Sequence, residues 1–264
     1  MAKPFEIFTS LRYDPVLPSA IGANALQSYP DMPVTPYYLL QYHQDRLLSA
    51  AQCFHWEKAV EFLTQDLTQF IEFLDSFIPD KMRPWRLRIV IDSSGAATVN
   101  AIPTLPIATA YLLVPVTSGI SSDIWRVYVD SERTMTSVLN THKTTARDDY
   151  TAARLRSGLI STQEPAEVLL VNLKGEVMEG SITTAYFKRR PSLTENNKIS
   201  GAEWATPPLC SGCNAGTTRR YALAQGFCSE QVIKANDLRD GEECWLSNGV
   251  RGFIRGIVVV RNSD

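Results

Sequence analysis

Hydrophobic residues in the first half of the chain alternate like a strand and then recur at helical spacing. Residues 4–14, PFEIFTSLRYD, predict a first strand with one face formed by apolar residues and Thr9. Residues 37–56 predict a helix, and the apolar stripe along residues 57–78 predicts a single long helix. Residues 85–101 predict a hairpin with its turn at 93–95.

Strand patterns dominate the second half of the chain. Two helices interrupt them, predicted at 143–157 and at about 217–227. The five predicted strands are 124–130, 166–172, 176–189, 242–248 and 251–260. The pattern loosens between residues 102 and 122, which contain three prolines. We therefore predict an α+β protein with a smaller domain at 1–101, a linker at 102–122 and a larger, strand-rich domain at 123–264.

Composition excludes several classes of partner. The chain has 264 residues, of which 44% are hydrophobic and 20% charged, and its net charge is −2, so we expect no nucleic-acid partner. The longest apolar run, residues 107–116, is short and contains Pro115, so we expect no membrane span. The first residues lack an apolar signal core, which predicts a cytoplasmic protein.

The chain has five cysteines, and their odd number predicts reduced thiols. Cys210 and Cys213 form one CSGC segment, but a zinc site needs a second pair or nearby histidines, and the chain has only three histidines. We therefore expect two thiols in a loop and no metal.

Two segments could supply reactive side chains. Lys143 lies where the pattern predicts the start of a helix, and the helix dipole together with burial would lower the pKa of its amine and favour nucleophilic chemistry. The ordinary explanation is a solvated surface lysine. Glu179 precedes Gly180 in the strand after a predicted turn at Lys174–Gly175, so its carboxylate could face a ligand cation, or it could be a surface residue beside a bulge.

Two further segments could bind an anion. The turn at 214–216 precedes Thr217 and Thr218 at a predicted helix start, where backbone N–H groups bind phosphate well; simple capping by Thr217 explains the same pattern. Arg46 follows His43 on the predicted helix at 37–56, and an exposed arginine paired with Asp45 or Glu57 would look the same.

Taken together and in this order, these segments resemble the fold-type IV family of pyridoxal-phosphate (PLP) enzymes, which includes branched-chain and D-amino-acid aminotransferases and aminodeoxychorismate lyases. The segments that carry the resemblance include YHQDRLLSAA, HKTTARDDYTAAR, EVLLVNLKGEVMEGSITTAYF, AGTTRR and WLSNGVRGFIRG. The combination of FTSLRYD, HKTTARD and GEVMEGSITT is most similar to the fungal-type lyases.

The resemblance implies a two-domain fold with PLP held between the domains. It implies that Lys143 binds PLP covalently, that Glu179 faces the ring nitrogen, and that Arg46 binds the phosphate. Further phosphate contacts are implied for Thr217, Thr218, Asn248 and Gly249. Position 148 is Asp where many transaminases have Tyr, and Tyr150 follows two residues later.

The implied reaction is the conversion of 4-amino-4-deoxychorismate to 4-aminobenzoate and pyruvate by a homodimer. Because this substrate is a dicarboxylate, Arg12 and Arg251 are candidate substrate-binding residues. Thr9 is a candidate catalytic proton donor, with Ser10 beside it as a substrate contact, although a purely structural role is open for all four residues. An aminotransferase of branched-chain or D-amino acids is the first alternative, and a catalytically inactive interaction protein of the same fold is the second.

Overall fold

The computed structural model describes residues 4–24, 29–31, 34–113, 115, 124–188 and 202–260. The chain forms two compact units. The first unit contains Met1–Leu113 together with two short segments from later in the chain, His142–Ala146 and Gly249–Arg251, and the second unit contains the rest. Of the predicted linker, residues 114 and 116–123 lie outside the described residues, while Ile102 and Pro103 belong to a strand.

The first unit has a three-stranded antiparallel sheet in the order β1-β2-β3, with helices packed against it. Its strands are β1 Ile7–Tyr13, β2 Trp85–Ile91 and β3 Ala97–Pro103. Its helices are α1 Leu17–Asn24, α2 Leu40–Cys53, α3 Glu57–Leu63, α4 Leu67–Asp75 and α5 Ala110–Leu113. The predicted first strand, helix 37–56 and hairpin are confirmed.

The prediction of one long helix over 57–78 is wrong, because α3 ends at Leu63 and Asp66 caps a separate helix, α4. Asp66 has an extended backbone (φ −64°, ψ 161°), and its carboxylate accepts a hydrogen bond from the N–H of Gln69 at 2.9 Å, which caps α4. The apolar stripe continues across this break. Leu63 on α3 and Phe70 and Leu74 on α4 are buried in one hydrophobic core with β1 and β2. Hydrophobic spacing therefore revealed the buried face but not the interruption.

The second unit contains an eight-stranded mixed sheet in the order β6-β5-β4-β11-β10-β7-β8-β9. Its strands are β4 Trp125–Thr134, β5 Ala166–Asn172, β6 Val177–Gly180, β7 Thr184–Lys188, β8 Trp204–Thr206, β9 Cys228–Glu230, β10 Glu243–Asn248 and β11 Gly252–Val259. Its helices are α6 Val138–Thr141, α7 Asp148–Arg156 and α8 Thr217–Ala224. Every residue of β5 is buried, as expected for an interior strand that pairs with β4 and β6.

Two predictions for this unit need correction. The segment 176–189 is two strands rather than one, because residues 181–183 turn the chain between β6 and β7. The helix predicted at 143–157 begins only at Asp148, because the backbone of residues 143–145 bonds to the first strand region instead. The turn at Gly175 is confirmed, with a positive φ of 74° and its N–H donating to the carbonyl of Asn172 at 2.9 Å.

No helix among the described residues is long and apolar enough to cross a membrane. The five cysteines are free thiols: Cys53 and Cys210 are exposed, and Cys213, Cys228 and Cys244 are buried. Over the same described part of the chain, no group of three or more histidine, cysteine or acidic residues could hold a metal ion.

Candidate active site

Lys143 lies in a turn between α6 and α7 and belongs to the first unit. Its carbonyl accepts a hydrogen bond from the N–H of Phe8 at 2.9 Å, and the N–H of Thr145 donates to the carbonyl of Glu6 at 2.8 Å. Lys143 as a whole is half-buried, with Nζ 5.2 Å from the centre of the Phe8 ring. The proposed effect of a helix dipole on Lys143 is therefore wrong, because no helix starts there.

Thr9 and His43, both buried, form a cluster with the half-buried Arg46 in the same unit. The Thr9 hydroxyl lies 2.6 Å from His43 Nδ1, and Arg46 Nη2 donates to that hydroxyl and lies 3.4 Å from Nδ1. Thr9 and His43 are fully buried. Burial, followed by the charges of Arg46 and Lys143, lowers the pKa of His43 well below its ordinary value. His43 is therefore a neutral imidazole beside two cationic side chains.

Glu179 is the centre of a second polar cluster, which belongs to the second unit. Its carboxylate is buried and accepts two short hydrogen bonds, from the Tyr150 hydroxyl at 2.6 Å and from Asn214 Nδ2 at 2.5 Å. Burial, followed by the Glu179 carboxylate, raises the pKa of Tyr150 well above its ordinary value, so Tyr150 remains a proton donor. The Arg147 guanidinium lies 3.5 Å from the centre of the Tyr150 ring. These contacts hold Glu179 as an oriented hydrogen-bond acceptor.

A buried carboxylate fixes the turn that follows Glu179. Glu167 on β5 is fully buried and accepts hydrogen bonds from the N–H groups of Val168, Ser181 and Ile182 and from the hydroxyls of Ser181 and Thr183. Arg154 Nη1 lies 3.7 Å from the same carboxylate. A Cβ atom at Gly180 would lie 2.3 Å from Thr183 Oγ1 and 2.8 Å from Glu167 Oε2, so a larger residue would displace these groups. The turn is therefore rigidly held at the end of the strand that carries Glu179.

The start of α8 has no side chain that caps its backbone N–H groups. Gly216 is the N-cap and no side chain provides a cap hydrogen bond, so capping by Thr217 is wrong. A side chain at Gly216 would come within 2.7 Å of Thr184 Oγ1. The Thr218 hydroxyl accepts a hydrogen bond from Ser247 at 2.8 Å, and Ser247 lies 2.7 Å from the Tyr186 hydroxyl. Thr218, Ser247 and Tyr186 thus form one buried network of hydroxyl groups beside the start of α8.

Several predicted site residues have other surroundings. Arg12 is buried, and its guanidinium donates to Asp14 at 2.7 Å and to the carbonyl of Leu105 at 2.9 Å, which gives it a structural task in the first unit. Ser10, Asn248 and Arg251 are half-buried, the last in the turn between β10 and β11. The functional roles of all four stay predictions.

Sequence reasoning missed two residues that contact Glu179. Tyr150 was noted only as the tyrosine two residues after Asp148, and Asn214 only as part of the turn at 214–216. Both partners are far from Glu179 along the chain, by 29 and 35 positions, so no local spacing could have paired them. Ser247, which bonds to Thr218, was missed for the same reason.

Comparison of the sequence with known proteins identifies its family. The family model for class IV amino-transferases matches residues 31–257. The aminodeoxychorismate lyase of Saccharomyces cerevisiae is 32% identical over 198 residues, which is 66% of this chain and 51% of that protein, so the chain spans about half of this relative's length.

Solved structures agree on the fold. A protein of Mesorhizobium loti, provisionally assigned as an amino-acid aminotransferase, is 25% identical with a TM-score of 0.66 over 97% of this chain and 100% of its own. The PLP-bound form of a hypothetical aminotransferase from Mycobacterium tuberculosis is 17% identical with a TM-score of 0.55 over 95% of this chain and 80% of its own. The chain belongs to the class IV amino-transferase family and has its α+β fold.

Proposed function

We propose that the protein is a PLP-dependent lyase that converts 4-amino-4-deoxychorismate to 4-aminobenzoate and pyruvate. Membership of the class IV family and the 32% identity to a yeast aminodeoxychorismate lyase support this proposal. The observation that carries the PLP part is the carboxylate of Glu179, which is buried yet held by two donors, Tyr150 and Asn214. A carboxylate fixed in this way suits a ligand that presents a protonated ring nitrogen.

The residues present fit this cofactor. Lys143 offers a primary amine, which a covalent bond to an aldehyde requires. The start of α8 after Gly216, which no side chain caps, offers backbone N–H donors to a phosphate. Asn214 Oδ1 and Arg147 Nη1 are buried and have no hydrogen-bond partner among the described residues, as expected for polar atoms that face a ligand. Arg46 is the further candidate for the phosphate.

The chain's own residues then have defined tasks. When bound, PLP supplies a carbonyl for the substrate's amine and a ring that takes up negative charge. Glu179, whose carboxylate is oriented by Tyr150 and Asn214, would keep the ring nitrogen protonated. Lys143 Nζ would be the base that takes the proton from the carbon bearing the amino group.

The proposed reaction is balanced without another reactant. Breaking of the carbon–oxygen bond releases the enolpyruvyl group, and the proton removed by Lys143 balances the one that the departing carbon needs to become pyruvate. The remaining ring becomes aromatic, which drives the reaction forward.

The test is to supply the PLP-loaded protein with enzymatically made 4-amino-4-deoxychorismate and to measure 4-aminobenzoate and pyruvate. We expect the two products in equal amounts. Lys143→Ala is expected to lose at least about 1000-fold in rate, since it removes both the covalent link and the base. Lys174→Ala, at an exposed lysine, is the matched control and is expected to retain full activity.

Two results would contradict the lyase. Amino-group transfer from branched-chain or D-amino acids to 2-oxoglutarate, without formation of 4-aminobenzoate, would identify an aminotransferase, which is the assignment of the Mesorhizobium loti protein of similar fold. Absence of PLP binding would identify a protein that keeps the fold without the chemistry. The homodimer stays a prediction, which light scattering of the purified protein would test.

A further inference from the structure

The side chains of Thr9, His43 and Arg46 contact one another through polar atoms. An arginine that only binds phosphate does not need such contacts. Thr9 lies on β1, and His43 and Arg46 lie three residues apart on α2, so both face the strand. Three contacts join them, from the Thr9 hydroxyl to His43 Nδ1 at 2.6 Å, from Arg46 Nη2 to the Thr9 hydroxyl, and from Arg46 Nη2 to Nδ1 at 3.4 Å.

The protons in this cluster can be assigned from the donor groups alone. A guanidinium can only donate, so the Thr9 oxygen is an acceptor for Arg46. An N–H at Nδ1 would face the Arg46 N–H groups, so Nδ1 must be unprotonated and must accept the single proton of Thr9. His43 therefore carries its proton on Nε2. The Thr9 proton is directed towards His43 and away from any ligand.

The opposite edge of the imidazole is fixed by a glycine. A Cβ atom at Gly249 would lie 2.6 Å from His43 Cε1, 2.7 Å from Nε2 and 2.9 Å from the carbonyl oxygen of Ser10. The carbonyl of Gly249 in turn accepts a hydrogen bond from the N–H of Arg12 at 2.9 Å. The turn between β10 and β11 therefore packs directly on the ring, and its residue at this place must be glycine.

We propose that His43 is a positioning residue whose unprotonated Nδ1 orients the Thr9 hydroxyl so that its oxygen anchors the Arg46 guanidinium. The orientation of Arg46 concerns the phosphate of PLP, so this part rests on the proposed function. The same geometry assigns Thr9 the task of an anchor, because its proton is already engaged by His43.

Two substitutions of His43 separate positioning from simple filling of space. Asparagine places an acceptor oxygen at the same number of bonds from the backbone as Nδ1, whereas glutamine is closer to histidine in length but places its polar atoms near the position of Nε2. We expect His43→Gln to weaken PLP binding about ten-fold or more and His43→Asn to stay within about three-fold of the wild type. Thr9→Val should resemble His43→Gln, and combining the two should add little.

The measurement is the dissociation constant of PLP, with thermal unfolding of each variant recorded beside it. Equal affinities of the asparagine and glutamine variants, or tighter binding by glutamine, would overturn the proposal. A purely space-filling role predicts that glutamine is the better substitute.

A second measurement needs neither a folded variant nor PLP. In the wild-type protein labelled with ¹⁵N-histidine, the His43 ring should show a protonated Nε2 and an unprotonated Nδ1. Detection of the opposite tautomer would refute the inference about His43. Failure of the wild type to bind PLP would instead refute the proposed function. The tautomer measurement would then still test the hydrogen bond from Thr9 to His43.

Discussion

Asp31 illustrates what burial does to a single ionisable residue in this protein. Its carboxylate is fully buried and accepts hydrogen bonds from the N–H groups of Leu40 and Gln41 at the start of α2, at 2.9 and 2.8 Å. Burial nevertheless raises its pKa to about 6, because the two hydrogen bonds only partly offset the loss of water. The helix that carries His43 and Arg46 thus begins at N–H groups bonded to a carboxylate whose ionisation is disfavoured by burial.

This raised pKa has a consequence for stability. Because the folded-state pKa is above the unfolded value, folding favours the protonated form, and stability contributed by Asp31 is gained as the pH falls from about 6 to about 4. We expect the unfolding free energy of the wild type, relative to Asp31→Asn, to rise by up to about 3 kcal/mol between pH 7 and pH 4. Urea unfolding at several pH values measures this difference, and a difference that does not change with pH would contradict the expectation.

At the scale of residues, candidate side chains could be named from the sequence, whereas their hydrogen-bond partners could not. The resemblance identified Lys143, Glu179 and Arg46 as candidates from their segments. The donors to Glu179, Tyr150 and Asn214, come from α7 and from the turn before α8. Such pairings depend on tertiary structure, which local patterns do not contain.

At the scale of elements, the turn between β6 and β7 is the part of the fold that positions Glu179. Five donors converge on the two oxygens of Glu167, and three of them belong to the backbone. The Arg147 guanidinium also donates to the carbonyl of Ser181 at 2.7 Å. A short turn that is bonded so completely can hold the end of β6 in one conformation.

Glu167→Gln tests this arrangement. The amide of glutamine would bring two protons to a position that only accepts, and the buried Arg154 would lose its counter-charge. We expect a loss of about 2–4 kcal/mol in unfolding free energy. Glu203→Gln, at an exposed position, is the control and should change stability by less than about 0.5 kcal/mol. Similar small effects of both substitutions in chemical unfolding would show that Glu167 does not hold the turn.

Elements were predictable where hydrophobic spacing dominates and wrong where a polar contact interrupts it. The strands at the centre of the larger sheet and the helix α2 follow their apolar pattern. The break at Asp66 depends on one capping hydrogen bond. The late start of α7 depends on backbone bonds from residues 143–145 to the region of β1, which is more than 130 positions away in the chain.

At the scale of the whole molecule, burial sorts the five thiols into two classes. Cys53 and Cys210 are exposed, whereas Cys213, Cys228 and Cys244 are buried. Burial raises the pKa of Cys213 and of Cys228 to about 12, and it also raises the pKa of Cys244. Because the thiolate is the reactive form, two effects protect the three buried cysteines from thiol reagents: their burial and the raised pKa of their thiols.

Titration with a thiol reagent measures how many of the five thiols are accessible in the native protein. We expect two thiols to react rapidly in the native protein and five after denaturation, and the variant with Cys53→Ser and Cys210→Ser to show no rapid reaction. A count above or below two in the native wild type would contradict the arrangement of the cysteines, including the assignment of Cys210 and Cys213 as free thiols.

The division of the chain into two units also belongs to this scale. Lys143 and Gly249 belong to the first unit although they lie in the second half of the sequence, and a prediction by contiguous segments could not have assigned them there. The residues of the first unit that concern the proposed cofactor thus come from three separate parts of the chain, and only the folded protein assembles them.

The most direct test of the account is to load the protein with PLP, reduce it with borohydride and locate the modified residue by mass spectrometry of the digested chain. We expect the pyridoxyl group on Lys143 and on no other lysine, and no labelling of Lys143→Ala. Labelling of a different lysine, or none in the PLP-loaded wild type, would contradict the assignment of Lys143 as the residue that binds the cofactor.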